Sequence, residues 1–211
     1  MSRWLLLVCL SSALYAQTNY VPKKTLDDVT AKYGKFAKKR VNAMTDMMSK
    51  AELASEDKKL KLVNDFFNRV MYMTDMRNWK VKDYWATRME FMGKDKGDCE
   101  DYAIAKYFTL IQLGIAPKKL FLSYVKLVKL RQAHMVLTYF KTPKSIPLVL
   151  DNMNFKIFPA NKRRDLKPVF SFNAESLYKA KQAGLGKMVP SGNKKNKKWL
   201  DLMDNIKRDK I

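Results

Sequence analysis

Three residues of this chain could together carry acyl-transfer chemistry. The stretch GKDKGDCEDYAIAKYFTLIQLGI (93–115) places Cys99 between Asp98 on one side and Glu100 and Asp101 on the other, where a helix begins. Aligned peptide dipoles and free N–H groups at a helix N-terminus favour the thiolate, the nucleophilic form of cysteine. The flanking carboxylates oppose it. His134 opens the run AHMVLTYF (133–140), and period-two alternation puts it on one strand face with Val136, Thr138 and Phe140. Asp151 closes PLVLDN (147–152), and the turn chemistry of KTPKSI between the two runs predicts an antiparallel hairpin. Such a hairpin can bring Asp151 beside His134, where a carboxylate would hold the imidazole tautomer, and an imidazolium near Cys99 would favour the thiolate.

Each of the three also has an ordinary structural explanation. A lone cysteine is commonly a buried, inert apolar residue. A histidine at a strand start is commonly a satisfied or surface residue, and the Asp-Asn pair of DNMN is a common turn. On the residues alone, cysteine acyl chemistry and a non-catalytic module both stay open.

The elements that must position these residues read as α+β. Residues 26–76 are rich in helix formers, and SEDKKLKLVNDFFNRVMYM is the clearest segment, with Ser55 as a cap and Leu60, Val63, Phe67 and Val70 at helical spacing. RNWKVKDYWATRMEFM (77–92) is aromatic and irregular, and reads as a connection packing Trp79, Tyr84 and Trp85 on the core. A helix is expected from Asp98 to about Leu113, capped by Asp98 with help from Asp101 and closed by Gly114 and Pro117. The short β-branched and aromatic runs 120–128, 133–140, 147–152 and 168–173 follow as strands. Residues 186–211 read as a basic turn and a short amphipathic helix, an extension in the same domain or a tail after a domain spanning 17–185.

The first 16 residues, with Arg3, an apolar run over Trp4–Leu10 and small residues ending at Ala16, have the layout of a secretory signal peptide and imply export. Removing them would remove Cys9 and leave Cys99 and His134 as the sole cysteine and histidine, so no intramolecular disulfide could form. The whole chain carries a net charge of +22, and loss of Arg3 leaves +21. The basic clusters at 38–40, 161–165 and 193–198 are not interleaved with aromatics in a nucleic-acid module, so no nucleic-acid partner is expected. Attraction to anionic lipid head groups or to an acidic protein stays open.

The blocks GDCEDYAIAKYFTLIQLGI, HMVLTYF, PLVLDN and PVFSFN, with YWAT and a glutamate upstream, resemble the bacterial transglutaminase-like cysteine proteinases over about residues 60–180. The resemblance implies a papain/transglutaminase-like fold with a nucleophile helix packed on an antiparallel sheet. It implies Cys99 as nucleophile, His134 as base and acid, and Asp151 as orienting residue. It also implies bound Ca²⁺. Asp98, Glu100 and Asp101 match the acidic calcium-binding segment, their oxygens are the hard ligands this ion prefers, and Asn154 of the DNMN loop is expected to add another. The implied function is a calcium-dependent periplasmic endopeptidase that cuts a large surface adhesin near its N-terminal retention region and so controls biofilm detachment, under an inner-membrane cyclic-di-GMP receptor. The triad does not distinguish hydrolysis from transglutaminase-type transfer to an amine. Cys99 N–H is the natural first oxyanion donor; the second stays open among Asn78, Trp79 and Trp85, and Arg88 stands where such sequences often have proline.

Overall fold

The computed structural model describes residues 19–181, 184–190 and 196–208. The expected signal peptide, residues 1–16, lies outside the described residues. Among them, no helix is long and apolar enough to cross a membrane.

The helical layer comes first. α1 (Lys23–Tyr33) and α2 (Lys35–Ala51) are split at Gly34, whose φ of +83° suits glycine and interrupts what the sequence reads as one helical stretch. α3 (Glu56–Phe67) starts at Ser55, whose hydroxyl accepts from Lys58 N–H, and buries Leu60, Val63, Asn64 and Phe67. The helical expectation for 26–76 fails after Asn68. Met71–Tyr72 forms a short strand, β1, which pairs in parallel with β2 (Lys96–Gly97), a partner 25 residues away that local periodicity cannot reveal.

Two short helices follow, the first straddling the end of the expected helical stretch and the second starting inside the expected connection. α4 spans Asp75–Asn78. α5 (Arg88–Lys94) starts with a capping box in which Thr87 accepts from Glu90 N–H and Glu90 accepts from Thr87 N–H. α6 (Cys99–Gln112) matches its predicted limits closely, with Asp98 as N-cap, Asp101 closing a capping box and Gly114 at φ +87° just past its end.

The second layer is a seven-stranded antiparallel sheet. Its strands are β3 (Leu120–Leu127), β4 (Ala133–Tyr139), β5 (Leu148–Leu150), β6 (Phe158–Pro159), β7 (Leu166–Phe172), β8 (Leu177–Lys181) and β9 (Gly184–Met188). They lie in the order β6-β5-β4-β3-β7-β8-β9, so the predicted hairpin pairing of β4 with β5 is present, with Leu137 opposite Leu150. α6 packs across β3 and β4, and the alternation along β4 sends Met135, Leu137 and Tyr139 into the main core while Val136 joins a second cluster with Val125, Val149 and Leu166. α7 (Lys197–Arg208) returns to this core, where Trp199 lies 6.0 Å from Phe108 in a stack and 5.7 Å edge-on to Phe172.

Candidate active site

Cys99 is the first residue of α6 and reaches β4, accepting a hydrogen bond at sulfur from the backbone N–H of Met135, the neighbour of His134. The approach depends on Gly97. A Cβ at that position would overlap Asp101 Oδ2 and the Phe91 ring, so only glycine lets the chain enter the helix so closely. His134, buried at 3% exposure, presents Nε2 to Asp151 Oδ1 at 2.8 Å. That contact leaves Nδ1 as the free ring nitrogen on the residue next to the one touching the sulfur.

Asp151 is held from four directions. Its Oδ1 also accepts from Met153 N–H at 2.9 Å, its Oδ2 accepts from Arg163 Nη2 at 2.7 Å, and its backbone carbonyl accepts from Asn68 Nδ2 at 2.8 Å. Arg163 in turn reaches Asp165 at 2.9 Å from Nε. Burial alone would raise the Asp151 pKa, but the His134 bond and charge, Met153 N–H and Arg163 outweigh it and hold the group down at about 2. The reverse holds for Arg163, whose burial is outweighed by Asp165 and Asp151, so its pKa rises.

The other side of Cys99 is built differently. Its thiol donates to Glu100 Oε2 at 2.7 Å, and burial, the charge and hydrogen bond of Glu100 and the charge of Asp98 push its pKa far up, against the weaker effect of Met135 N–H. Asp98 lies in two groups of mutually close ligand atoms: one with Cys99 and Glu100, the other with Asp75 and Asp101. Burial followed by the charges of Glu100 and Asp101 raises Asp98 to about 10. Burial raises Asp75 to about 6 against the Tyr84 N–H bond, and raises Asp101 well above the ordinary range. Asp101 is satisfied by backbone, accepting from Ala86 N–H at 2.9 Å and from Asp98 N–H at 3.2 Å. Asp75 Oδ1 and Asp98 Oδ1 are buried and have no hydrogen-bond partner.

Buried, mutually repelling carboxylates with unpaired oxygens fit a hard divalent cation such as Ca²⁺. Asp75, absent from the sequence reading, joins Asp98 and Asp101 because α4 packs against β2 immediately before α6. Asn154 is engaged elsewhere, accepting from Lys156 N–H at 3.3 Å in the loop after β5, and that loop is tied to α3 through Asn64 Nδ2 and Phe155 O at 2.9 Å.

Of the three open oxyanion donors, Asn78 Nδ2 donates to Lys96 O at 3.0 Å, whereas the indole N–H groups of Trp79 and Trp85 are buried without a partner. The amide is committed to β2; the two indoles are not.

Comparison with known proteins decides the lineage. The family described as bacterial transglutaminase-like cysteine proteinase (BTLCP) matches residues 29–164. The chain belongs to this family. No curated protein matches the chain. Among solved structures it is similar to Legionella pneumophila LapG, at 37% identity and a TM-score of 0.74, covering 88% of this chain and 98% of that one. Calcium-bound LapG matches at the same identity and TM-score, with 88% and 99% covered, and EGTA-treated LapG at 39% and 0.76, with 88% and 98% covered. The fold is therefore transglutaminase-like, and the bacterial transglutaminase-like proteinase lineage accounts for the α6-on-sheet packing that sets Cys99 against β4. Asp75, Arg163 and Asn68 were missed by sequence reasoning. Only the basic cluster at 161–165 drew notice, and then as surface charge.

Proposed function

We propose that the protein is a calcium-dependent cysteine endopeptidase with Cys99 as nucleophile, His134 as general base and acid, and Asp151 as the orienting carboxylate. The observation that carries this reading is the His134 Nε2–Asp151 Oδ1 contact of 2.8 Å, made next to the Met135 N–H that touches the Cys99 sulfur. With Nε2 committed, Nδ1 takes the thiol proton, and the thiolate attacks the scissile carbonyl carbon. Cys99 N–H, which has no acceptor within its own helix, faces the oxygen that gains charge, assisted by an indole of Trp79 or Trp85. The imidazolium then protonates the departing amine. Water, deprotonated by His134, hydrolyses the thioester and returns the thiol.

Asp75, Asp98, Glu100 and Asp101 would hold Ca²⁺, whose positive charge would offset the carboxylates that keep the thiol protonated. These side chains otherwise cap α6 and bind the Tyr84 and Ala86 N–H groups, fixing the helix start relative to β4.

By family resemblance, the substrate is a large surface adhesin cut near its N-terminal retention region, and the regulator an inner-membrane cyclic-di-GMP receptor. The signal-like first 16 residues support a periplasmic site of action, with biofilm detachment as the outcome. The basic surface supports peripheral attraction to anionic membranes close to such a substrate. The test is co-expression with the adhesin carried by the same cells. Wild type is expected to release it, and Cys99→Ala to leave it retained. Release by Cys99→Ala as efficient as wild type refutes the nucleophile assignment.

A further inference from the structure

Lys106 sits on α6 two turns beyond Cys99 and is almost completely buried, at 1% exposure. Among the described residues its one hydrogen bond goes to a neutral group, Asn68 Oδ1 at 2.7 Å, and its ammonium lies 5.9 Å from the Tyr102 ring centroid. Burying an ammonium without a directly bonded carboxylate costs several kcal/mol in general, and an apolar side chain of similar size would pack there at lower cost. Burial lowers its pKa to about 7, partly offset by the charges of Asp151 and Asp65. A residue this costly invites a role beyond packing.

The hydrogen-bond chain supplies one. Asn68 caps the C-terminus of α3 and uses its two amide ends on different partners: Oδ1 on Lys106, Nδ2 on the Asp151 carbonyl at 2.8 Å. An amide can turn over and exchange its two ends. The charged ammonium can only donate, so in that form Lys106 permits one orientation alone, the one that aims N–H at Asp151. The reversed amide would set two carbonyl oxygens against each other. One helical turn earlier, Asn64 donates to Phe155 O, so α3 grips both ends of the 151–155 loop.

We infer that Lys106 is a positioning residue for the Cys99–His134–Asp151 group, acting through Asn68 to pin the Asp151 backbone and hold its carboxylate on His134 Nε2. The inference rests on the peptidase reading for its kinetic consequence but not for its geometric one.

The test uses two variants of the full mature protein. Asn68→Asp keeps an acceptor for Lys106 while deleting the donor to Asp151. Lys106→Met removes the ammonium at similar volume. His134 is the sole histidine, so ¹⁵N labelling of histidine reads its tautomer without assignment. Wild type is expected to show the Nε2–H tautomer alone. Both variants should gain an Nδ1–H population and lose about tenfold in kcat at unchanged KM, the signature of misplacement rather than lost binding. The double variant should lose no more than either single one, since both break the same link. An unchanged tautomer in either variant, or kcat of Lys106→Met within about twofold of wild type, overturns the inference, because a merely structural lysine would move only the melting temperature. A tautomer shift in a protein whose wild type hydrolyses nothing would leave the positioning role standing and remove the peptidase reading instead.

Discussion

Asp101 and Asp151 are equally hidden from solvent, at 0% and 1% exposure, yet their environments drive them in opposite directions. Asp151 meets an imidazole, a guanidinium and a backbone N–H, and is held at about 2. Asp101 and its neighbours Asp75 and Asp98 have backbone N–H groups but, among the described residues, no guanidinium or imidazole beside them, and burial with their mutual repulsion raises all three. Burial is common to both groups; the supply of positive partners differs. The β4–β5 side of Cys99 is electrostatically complete within the chain. The α4–α6 side leaves Asp75 Oδ1 and Asp98 Oδ1 buried without a partner, where the proposed Ca²⁺ would supply the missing positive charge.

The largest expected effect breaks the complete side. Asp151→Asn removes the negative charge that holds the His134 tautomer and leaves Asp165 as the carboxylate partner of Arg163. We expect kcat to fall about 10³- to 10⁴-fold and stability to fall by about 1–3 kcal/mol as buried charged hydrogen bonds are lost, read by peptide hydrolysis and urea denaturation. Activity within an order of magnitude of wild type would mean that Asp151 does not orient the base.

Calcium removal should act on the other side alone. At a free Ca²⁺ concentration of a hundred times its Kd, binding should add about 2.7 kcal/mol to stability. EGTA should remove this gain and suppress hydrolysis together. In EGTA, Asp98→Asn is expected to be at least as stable as wild type, because it relieves repulsion, and to gain little from added Ca²⁺. A strong loss of stability for Asp98→Asn in EGTA would show that the acidic group is already balanced without metal. Asp75→Asn should weaken calcium affinity about 10- to 100-fold, measured by calorimetric titration; unchanged affinity would take Asp75 out of the site.

The smallest effect is a pH dependence of opposite sign on the two sides. Asp75, raised to about 6, keeps a proton in the native state that the unfolded chain has already released. The metal-free protein should therefore lose stability as pH rises from the ordinary carboxylate range through about 6. Asp151 works the other way, contributing stability above its unfolded pKa that is lost as pH falls toward 2. A melting temperature in EGTA that rises steadily from pH 5 to 7 would contradict the first half of this contrast.

What could be read in the sequence follows from distance along the chain. Cys99, Asp98 and Asp101 share one helix start, and His134 and Asp151 share one hairpin, so local capping and period-two rules locate them. Asp75 enters through the parallel β1–β2 pairing and the packing of α4 on β2, which no local pattern announces. Arg163 looks like one of many surface cations in NKRRD, and only the turn after β6 points it inward to Asp151. Lys106 and Asn68 are ordinary helix-surface types by composition, and their burial appears only when α3 packs on α6. The aromatic stretch 77–92 hid α5 because its capping box, Thr87 with Glu90, sits amid residues with weak helical periodicity.

The most direct measurement incubates metal-free mature protein with the adhesin's N-terminal region, with and without added Ca²⁺ and in the presence of a primary amine, and weighs the products by mass spectrometry. The account predicts fragments that each carry the mass of hydrolysis, formed with Ca²⁺, suppressed by EGTA and absent with Cys99→Ala. Amine incorporation into an uncut chain, or cleavage indifferent to chelation, would contradict it.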